Sequence, residues 1–262
     1  MSKIEYLQQD GARVGYRDDG DGQPLVLVHG TGGDGEANFA GLLPHLPGRR
    51  VLRPDYAGSG LTDDPTEVLT LDRLIGQVVA AADHAGFDRF DLAGFSLGSA
   101  IATRLAALHP HRVDRLVLIG GFVTGGDPRS QLQFRHWADL ARRDPEALAR
   151  MMLLTGFSHE FLSRIGDIEE VVSDMVKGSN WEGVARQSEL DLRVDVSKDL
   201  SAIRAPTLVL GNRYDQMIDP VASTVLASGI ADAALAWIEG PHLALMEEPG
   251  AVAELMRPHL AA

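Results

Sequence analysis

The chain has 262 residues, of which 45% are hydrophobic and 23% charged, which predicts a well-cored globular protein with one large α/β domain. Its 24 basic and 37 acidic residues leave a formal net charge of −13, a surface that repels nucleic acid and anionic membranes. Cysteine is absent, which excludes disulfides, thiolate catalysis, zinc–thiolate sites and iron–sulfur clusters.

The N-terminal segment comes first in chain order, and residues 1–16 lack the apolar core of a signal peptide. No later apolar run approaches the roughly 18 residues that a membrane span requires. We therefore expect a cytoplasmic protein whose partner is a small-molecule substrate, with neither nucleic acid nor a membrane as a partner. The sequence carries no indication of the oligomeric state.

The first 122 residues alternate between strand and helix patterns. A hairpin is predicted over Ile4–Arg17, with its turn at Asp10 and Gly11. The next predicted elements are a strand over 24–30, a strand and glycine-rich loop over 50–60, a helix over 69–85, a strand and turn over 87–98, a helix over 97–108 and a strand over 113–121. This alternation predicts a mainly parallel sheet.

Strand patterns are then missing until about residue 198. Asp127 and Asp144 each precede a proline, a pattern typical of a helix N-cap followed by the first helical residue. Helical spacing continues over 169–177 and 181–192, strands resume over 205–212 and 234–240, and a last helix is predicted within 249–259. The sequence therefore predicts an α/β core of residues 1–122 and 199–262, with a helical cap of residues 123–198.

Ser96 lies in a G-x-S-x-G motif, Gly94 to Gly98, between a predicted strand and a predicted helix. In such a turn the serine hydroxyl stands above the edge of the sheet. Glycine on both sides allows the strained turn and the close passage of strand and helix. A serine that only caps a helix would give the same local pattern. The motif therefore predicts a nucleophile only together with a base and an acid.

A serine nucleophile needs a base, and the base needs an acid that orients it. Among the nine histidines, only His242 follows a late buried strand and precedes a helix, so its side chain would reach the carboxyl edge of the sheet. Asp215 follows the preceding strand by a short loop, whereas Asp219 and Asp127 precede prolines and are predicted helix caps. We therefore expect Ser96, Asp215 and His242 to form a catalytic triad.

With these motifs in place, the chain resembles the α/β-hydrolase superfamily over nearly its whole length. The resemblance rests on the "HG" loop, "PDYAGSG", the serine motif, the helical segment, "APTLVLGNRYD" and "GPH". The chain order of nucleophile, acid and histidine is also typical of that superfamily. The closest general likeness is to capped, single-domain esterases, lactonases and perhydrolase-like members. The resemblance implies a mostly parallel twisted sheet with helices on both faces and an inserted helical cap.

The resemblance also implies where an oxyanion hole would form. One donor in the superfamily is the backbone N–H of the residue after the nucleophile, here Leu97. The second comes from the loop after the "HG" strand, which makes Thr31 the donor. Because Ser96 stands where haloalkane dehalogenases and superfamily epoxide hydrolases have an aspartate, the resemblance excludes these two activities.

The same glycine-rich loop also fits a different use. Residues 30–35 match G-x-G-x-x-G, and Asp55 ends the next strand, close to the spacing of a ribose-binding acid. Asp34 and Glu36 would, however, place two carboxylates beside a pyrophosphate, and no firm helix pattern follows Gly35. A dinucleotide site would also leave the serine, aspartate and histidine unexplained, so we favour the oxyanion interpretation.

The substrate pocket is predicted to be apolar, because a lid helix has one face over the active site. The candidate lining residues are Phe95, Phe122, Trp137, Met151 and Leu243. The predicted function is hydrolysis of a carboxylic ester, lactone or thioester of a small, largely apolar substrate through an acyl-enzyme. The alternatives are a carbon–carbon bond hydrolase or lyase on the same triad, and a non-catalytic ligand-binding protein. No cofactor is expected, and neither H-E-x-x-H nor a spaced carboxylate–histidine set indicates a metal.

Overall fold

The computed structural model describes residues 2–261, within which eight strands form one sheet. The strands are β1 (Lys3–Gln9), β2 (Ala12–Asp19), β3 (Gln23–Val28), β4 (Arg49–Pro54), β5 (Phe90–Phe95), β6 (Val113–Ile119), β7 (Thr207–Asn212) and β8 (Ala233–Ile238). Their order across the sheet is β1-β2-β4-β3-β5-β6-β7-β8. Strand β2 is antiparallel to both neighbours, and the remaining pairs are parallel. The prediction of a mostly parallel sheet is confirmed.

The hairpin of β1 and β2 turns where the sequence predicts it. Asp10 and Gly11 have φ angles of 47° and 82°, and Gln9 pairs directly with Ala12. A two-residue turn with positive φ at both positions matches the right-handed twist of the flanking strands. This hairpin therefore fixes the antiparallel edge of the sheet.

Helices cover both faces of the sheet, as predicted. They are α1 (Gly35–Phe39), α2 (Leu71–His84), α3 (Leu97–Leu108), α4 (Pro128–Arg143), α5 (Pro145–Gly156), α6 (His159–Leu162), α7 (Ile168–Gly178), α8 (Trp181–Asp191), α9 (Val221–Gly229), α10 (Ala244–Glu247) and α11 (Pro249–Ala261). In the part of the chain that is described, no helix combines the length and the apolarity needed to cross a membrane.

Two apolar clusters, one on each face, hold the helices to the sheet. On β3, Val26 and Val28 belong to one cluster, whereas Leu25 and Leu27 belong to the other, because successive side chains of a strand point to opposite faces. The first cluster includes buried residues of α2, α3 and α9, and the second includes buried residues of α11. The central strands are thus buried on both faces, as their continuous apolar runs predict.

The helices α4–α8, here called the insertion, lie between β6 and β7. Asp127 and Asp144 cap α4 and α5 by accepting hydrogen bonds from backbone N–H groups in the first helical turn. The two chain segments that enter and leave the insertion pair with each other, since Gly125 N–H donates to Val194 and Val196 N–H donates to Val123. The division into a core and a cap at residues 123 and 198 stays a prediction.

The strand order places one crevice at the carboxyl edge of the sheet. Strand β3 lies between β4 and β5, so the chain leaves β3 toward one side and later returns on its other side. Open α/β sheets bind ligands outside the carboxyl ends of the strands at such a point. The loop after β3 and the turn after β5 meet here, and the loops after β7 and β8 end at the same edge.

Candidate active site

Ser96 occupies a sharp turn between β5 and α3. Its φ of 54° and ψ of −118° are strained for a residue with a side chain, and Asp10 is the other described non-glycine residue with positive φ. A Cβ on Gly94 would lie 2.1 Å from the carbonyl oxygen of Gly98, and a Cβ on Gly98 would lie 2.1 Å from that of Val28. Both glycines of the motif are therefore required by close backbone approach.

A continuous hydrogen-bonded chain connects Ser96, His242 and Asp215. His242 Nε2 lies 3.1 Å from Ser96 Oγ, and His242 Nδ1 lies 2.6 Å from Asp215 Oδ2. Because an ionised carboxylate only accepts, Nδ1 is the donor to Asp215, which leaves Nε2 to accept from the serine hydroxyl. The side chains of His242 and Asp215 are 4% and 2% exposed, so the pair is shielded from bulk water.

Further contacts hold the histidine and the aspartate in place. Asp215 Oδ1 accepts hydrogen bonds from the backbone N–H groups of Met217 and Ile218, both at 2.8 Å. Asn212, the last residue of β7, donates from Nδ2 to the carbonyl oxygen of His242 at 2.8 Å. Asn212 is not among the residues predicted from the sequence, although its position at the end of β7, three residues before Asp215, is a usable signal. These contacts fix both partners before any ligand binds.

The glycine-rich loop after β3 passes directly against the serine. A Cβ added to Gly30 would lie 3.0 Å from the Cβ of Ser96. Within residues 2–261, the backbone N–H groups of Thr31 and Leu97 make no hydrogen bond. The site thus has two backbone donors without partners, on the residues that the sequence analysis singles out.

His29 fixes the peptide that ends in Thr31. Its Nδ1 lies 2.9 Å from the carbonyl oxygen of Gly30, and its Nε2 lies 3.4 Å from the backbone nitrogen of Tyr56. The ring is fully buried, and burial lowers the pKa of His29, which favours the neutral form. The neutral ring then donates from Nδ1 and accepts at Nε2. Because the peptide is planar and trans, anchoring the Gly30 carbonyl turns the Thr31 N–H to the opposite side.

Asp55, the candidate ribose-binding acid, makes hydrogen bonds within the protein. Asp55 is buried and accepts hydrogen bonds from Gly35 N–H, Leu61 N–H and the guanidinium of Arg17. Asp34 accepts from the first turn of α1, a helix of only five residues. Both carboxylates are therefore used inside the protein, which favours the oxyanion interpretation of the loop over a dinucleotide site.

A cavity of about 300 Å³ opens over Ser96 and His242. Its volume is at the lower end of the roughly 300–1,000 Å³ that is usual for small-molecule sites. The side chains that line it come from the glycine-rich loop, α4, α5, α7 and the loops after β7 and β8. Among these lining residues, His242 is the one titratable side chain. The cavity is consequently an apolar, uncharged space with the reactive groups at one end.

Three of the five predicted pocket residues line this cavity and two do not. Phe95, Trp137 and Leu243 line it. Phe122 is buried in the core against Phe134, with 5.7 Å between ring centroids, and Met151 packs on the core cluster. The lining residues missed by the sequence analysis include Phe134, Met152, Leu153, Phe157, Met175, Met217 and Met246.

Helix phase explains this correction. Successive helical residues differ by about 100° around the axis, so Met152 faces the cavity while Met151 faces elsewhere. Phe122 lies behind Phe134, which separates it from the cavity. The amphipathic pattern shows that α4 and α5 have an apolar side, but which apolar residue faces the site depends on how the insertion docks.

A second buried carboxyl lies behind the glycine-rich loop. Asp191, at the end of α8, is fully buried, and its Oδ2 accepts a hydrogen bond from Thr31 Oγ1 at 2.7 Å. Burial raises the pKa of Asp191 to about 8, and the hydrogen bond from Thr31 only partly opposes this rise. Among the described residues, Asp191 Oδ1 has no hydrogen-bond partner. The insertion thus places against the loop a carboxyl whose burial disfavours the ionised form.

The described residues contain no cluster of side chains suited to binding a metal ion. No group of three or more histidine, aspartate or glutamate side chains within residues 2–261 is arranged to hold a metal ion.

Comparison with known proteins adds a family and several relatives. A family model described as alpha/beta hydrolase fold matches residues 23–249. A pyrrolizixenacetamide deacetylase of Xenorhabdus hominickii is 44% identical over 252 residues, covering 95% of each chain. A 2-hydroxymuconate semialdehyde hydrolase of Pseudomonas putida is 28% identical, covering 86% of this chain and 82% of its own. The crystal structure of the enol-lactonase from Burkholderia xenovorans LB400 matches with a TM-score of 0.89 at 25% identity, covering 98% of this chain and all of that one.

Proposed function

The chain belongs to the alpha/beta hydrolase family, and we propose that within it this protein is a serine hydrolase of small, uncharged and largely apolar acyl substrates. The observation that supports this most is the hydrogen-bonded chain from Asp215 through His242 to Ser96 at the end of an apolar cavity. The residue types and their mutual distances are those that an acyl-transfer triad needs, and the chain order is the one typical of α/β hydrolases.

In this proposal the first half-reaction acylates the serine. Ser96 Oγ attacks the carbonyl carbon while His242 Nε2 takes the hydroxyl proton, and the carbonyl π electrons move to the oxygen. Asp215 stays ionised, keeps the imidazole in the Nδ1–H tautomer and stabilises the imidazolium. The tetrahedral intermediate then collapses, and His242 delivers its proton to the leaving group. A water molecule, activated by His242 in the same way, releases the acid and restores the serine.

The oxyanion is stabilised by two backbone donors in this proposal. The N–H groups of Thr31 and Leu97 have no partners among the described residues. Leu97 follows Ser96 in the chain, and Gly30, which precedes Thr31, lies against Ser96. Leu97 is also the first residue of α3, where the helix dipole favours negative charge. Each such donor typically contributes a factor of about 10²–10³ in kcat.

The proposed substrates are acetyl and other short acyl esters, lactones, thioesters and amides. The cavity of about 300 Å³ supports a neutral substrate, because its lining residues include no lysine, arginine, aspartate or glutamate that would pair with an ionised group. The relative with 44% identity is named a deacetylase of an acetamide, which extends the substrate class from esters to amides. The enol-lactonase supports a cyclic ester as a further member of that class.

Carbon–carbon bond hydrolysis on the same triad is the second candidate. It is supported by the relative named 2-hydroxymuconate semialdehyde hydrolase. That name denotes a carboxylate, which arginine and lysine bind most strongly, and neither residue type is among the lining residues of this cavity. The uncharged cavity therefore favours acyl substrates over dienoate substrates.

A substrate panel with a matched variant separates these candidates. Wild type and Ser96→Ala would be assayed with an aryl acetate, an aryl acetamide, a neutral lactone and a vinylogous diketone acid. We expect hydrolysis of the neutral acyl substrates by wild type alone. Turnover of the diketone acid at a higher kcat/KM would favour carbon–carbon cleavage, and equal turnover by Ser96→Ala would overturn the serine mechanism.

A further inference from the structure

The helix that ends the insertion presents one line of residues to the glycine-rich loop. Gly183, Gln187 and Asp191 of α8 are spaced by four residues, so they lie on one face of the helix. All three are buried. A polar glutamine and an aspartate on a fully buried helix face need partners, and both find them at the loop that carries Thr31.

Close backbone contact brings this face of α8 to the core. A Cβ on Gly183 would lie 2.0 Å from the carbonyl oxygen of Gly58, so only glycine permits this approach. Gln187 Nε2 donates to the carbonyl oxygen of Ala57 at 3.0 Å and to Ser59 Oγ at 2.8 Å. The helix is therefore fixed on the 57–59 loop, and its remaining polar atoms point toward the glycine-rich loop.

Two hydrogen bonds connect α8 to the residues around the proposed oxyanion donor. Gln187 Oε1 accepts from the backbone N–H of Gly32 at 2.9 Å. Asp191 Oδ2 accepts from the hydroxyl of Thr31 at 2.7 Å. On the other side of Thr31, the backbone N–H of Gly30 donates to Asn38 Oδ1 at 2.9 Å. The Thr31 peptide is thus held from the core on one side and from the insertion on the other.

We propose that Asp191 and Gln187 are positioning residues that aim the backbone N–H of Thr31 at the oxyanion, so that the insertion completes the oxyanion site. This inference rests on the proposed function, in which Thr31 donates to the tetrahedral oxygen. Neither side chain lines the cavity, so each acts through the loop and not on the substrate.

The polarity of these residues argues for a role beyond packing. A buried carboxyl that makes a single hydrogen bond through one oxygen loses more hydration than it regains, and an apolar residue of similar size would pack there at lower cost. What the carboxyl adds is direction, because its oxygen fixes the Thr31 hydroxyl. A displacement of the donor by a fraction of an ångström weakens a hydrogen bond to a transition state.

The test compares Asp191→Leu, Asp191→Asn and Gln187→Met with wild type and with Glu189→Leu, a control at a half-buried residue of α8 that pairs with Arg142 and not with the glycine-rich loop. An aryl acetate reports kcat and KM. Phenyl trifluoromethyl ketone reports oxyanion stabilisation, because Ser96 Oγ adds to its carbonyl carbon, the hydroxyl proton goes to His242 and the ketone oxygen becomes the oxyanion.

Asp191→Leu should lower kcat by about 10- to 100-fold and weaken ketone binding by a similar factor, with KM changed less than about twofold. Asp191→Asn keeps an acceptor for the Thr31 hydroxyl and should retain kcat within about threefold of wild type. Gln187→Met removes the contact to Gly32 and should lower kcat and ketone affinity together. Gln187→Met tests the positioning role if Asp191→Leu does not fold. Glu189→Leu should behave as wild type.

Wild-type kcat and ketone affinity in Asp191→Leu or Gln187→Met would overturn the positioning role, as would a loss confined to KM. Equal losses in Asp191→Asn and Asp191→Leu would also contradict it, because the acceptor survives in the asparagine variant. A wild-type protein that neither turns over the ester nor binds the ketone would instead refute the proposed serine hydrolase, a distinct result.

Discussion

The α/β core and the insertion differ in how they build the site. The core supplies every proposed reacting group from the loops at the carboxyl edge of its sheet. Backbone N–H groups hold Asp215, and the side chains of Asp215 and Asn212 hold His242. The insertion supplies much of the cavity surface, and it does so with side chains of adaptable shape, among them Met152 and Met175. The core thus fixes the geometry of the reacting groups, and the insertion sets the shape and polarity of the cavity.

This difference predicts that chemistry and selectivity respond to substitutions in different regions. Changes in the core should lower kcat for every substrate, whereas changes in the cavity surface of the insertion should alter KM and substrate choice. Helix α8 breaks the division, because Asp191 reaches from the insertion to the core loop. Substitutions in each region test this division.

Removal of the base or the nucleophile should have the largest effect. We expect Ser96→Ala or His242→Ala to lower kcat for an aryl acetate by about 10⁴- to 10⁶-fold, because the two groups act as one unit. Initial-rate assays on purified variants measure kcat, with circular dichroism as the control for folding. A loss below about tenfold for Ser96→Ala would place the chemistry outside the core turn.

Replacement of the acid should have the next largest effect. Asp215→Asn leaves the size unchanged but disfavours the Nδ1–H tautomer of His242, so kcat should fall by up to about 10⁴-fold with little change in KM. Kinetics with the same ester check this, and Asp219→Asn in the same loop is the matched control. Activity that is retained in Asp215→Asn but lost in Asp219→Asn would reverse the assignment.

A charge in the insertion should affect binding more than chemistry. Met175→Glu puts a carboxylate into the uncharged cavity, so KM for neutral esters should rise about tenfold or more, whereas kcat changes less. Met175→Leu, which keeps the apolar surface, should stay near wild type. If both substitutions lower kcat equally and leave KM unchanged, the insertion does not act as the selectivity region.

The pKa of Asp191 predicts a pH-dependent effect on stability. Because the folded-state pKa of about 8 lies above the ordinary aspartate value of 3.8, the contribution of Asp191 to stability is largest below about pH 4. The corresponding stability is lost as the pH rises through about 8, by at most about 1.4 kcal/mol per pH unit. Asp191→Asn lacks this ionisation. Its free energy of unfolding should therefore rise relative to that of wild type as the pH increases from 5 to 8.

Urea unfolding at pH 5, 6.5 and 8 measures the difference between the two proteins, in which the other titrating groups cancel. A difference that is constant with pH would show that Asp191 does not titrate in this range.

The sequence predicts the core far better than the insertion, for physical reasons. Buried strands and a strained glycine turn leave local patterns, so Ser96, Asp215 and His242 can be singled out from position alone, and the structure brings them within hydrogen-bonding distance. Their catalytic role stays a proposal. Asn212 is missed because its contact to the His242 carbonyl joins two strand ends far apart in the sequence.

The insertion is less predictable because its contacts depend on docking. The sequence predicts that α4 and α5 are amphipathic, but not that Phe134 and Met152 face the cavity in place of Phe122 and Met151. Gln187 is a polar residue on a helix, a pattern that normally indicates a solvent-exposed face, yet it is fully buried. Only the packing of α8 on the core reveals its partners. The cytoplasmic location and the exact cap boundaries stay predictions.

Ser96 of the core is the proposed nucleophile. The most direct test of this role is labelling with a fluorophosphonate, followed by peptide mapping of the modified residue by mass spectrometry. We expect one adduct on the peptide that contains Ser96, no labelling of Ser96→Ala, and much slower labelling of Asp215→Asn. Equal labelling of wild type and Ser96→Ala, or an adduct on a different residue, would contradict the account.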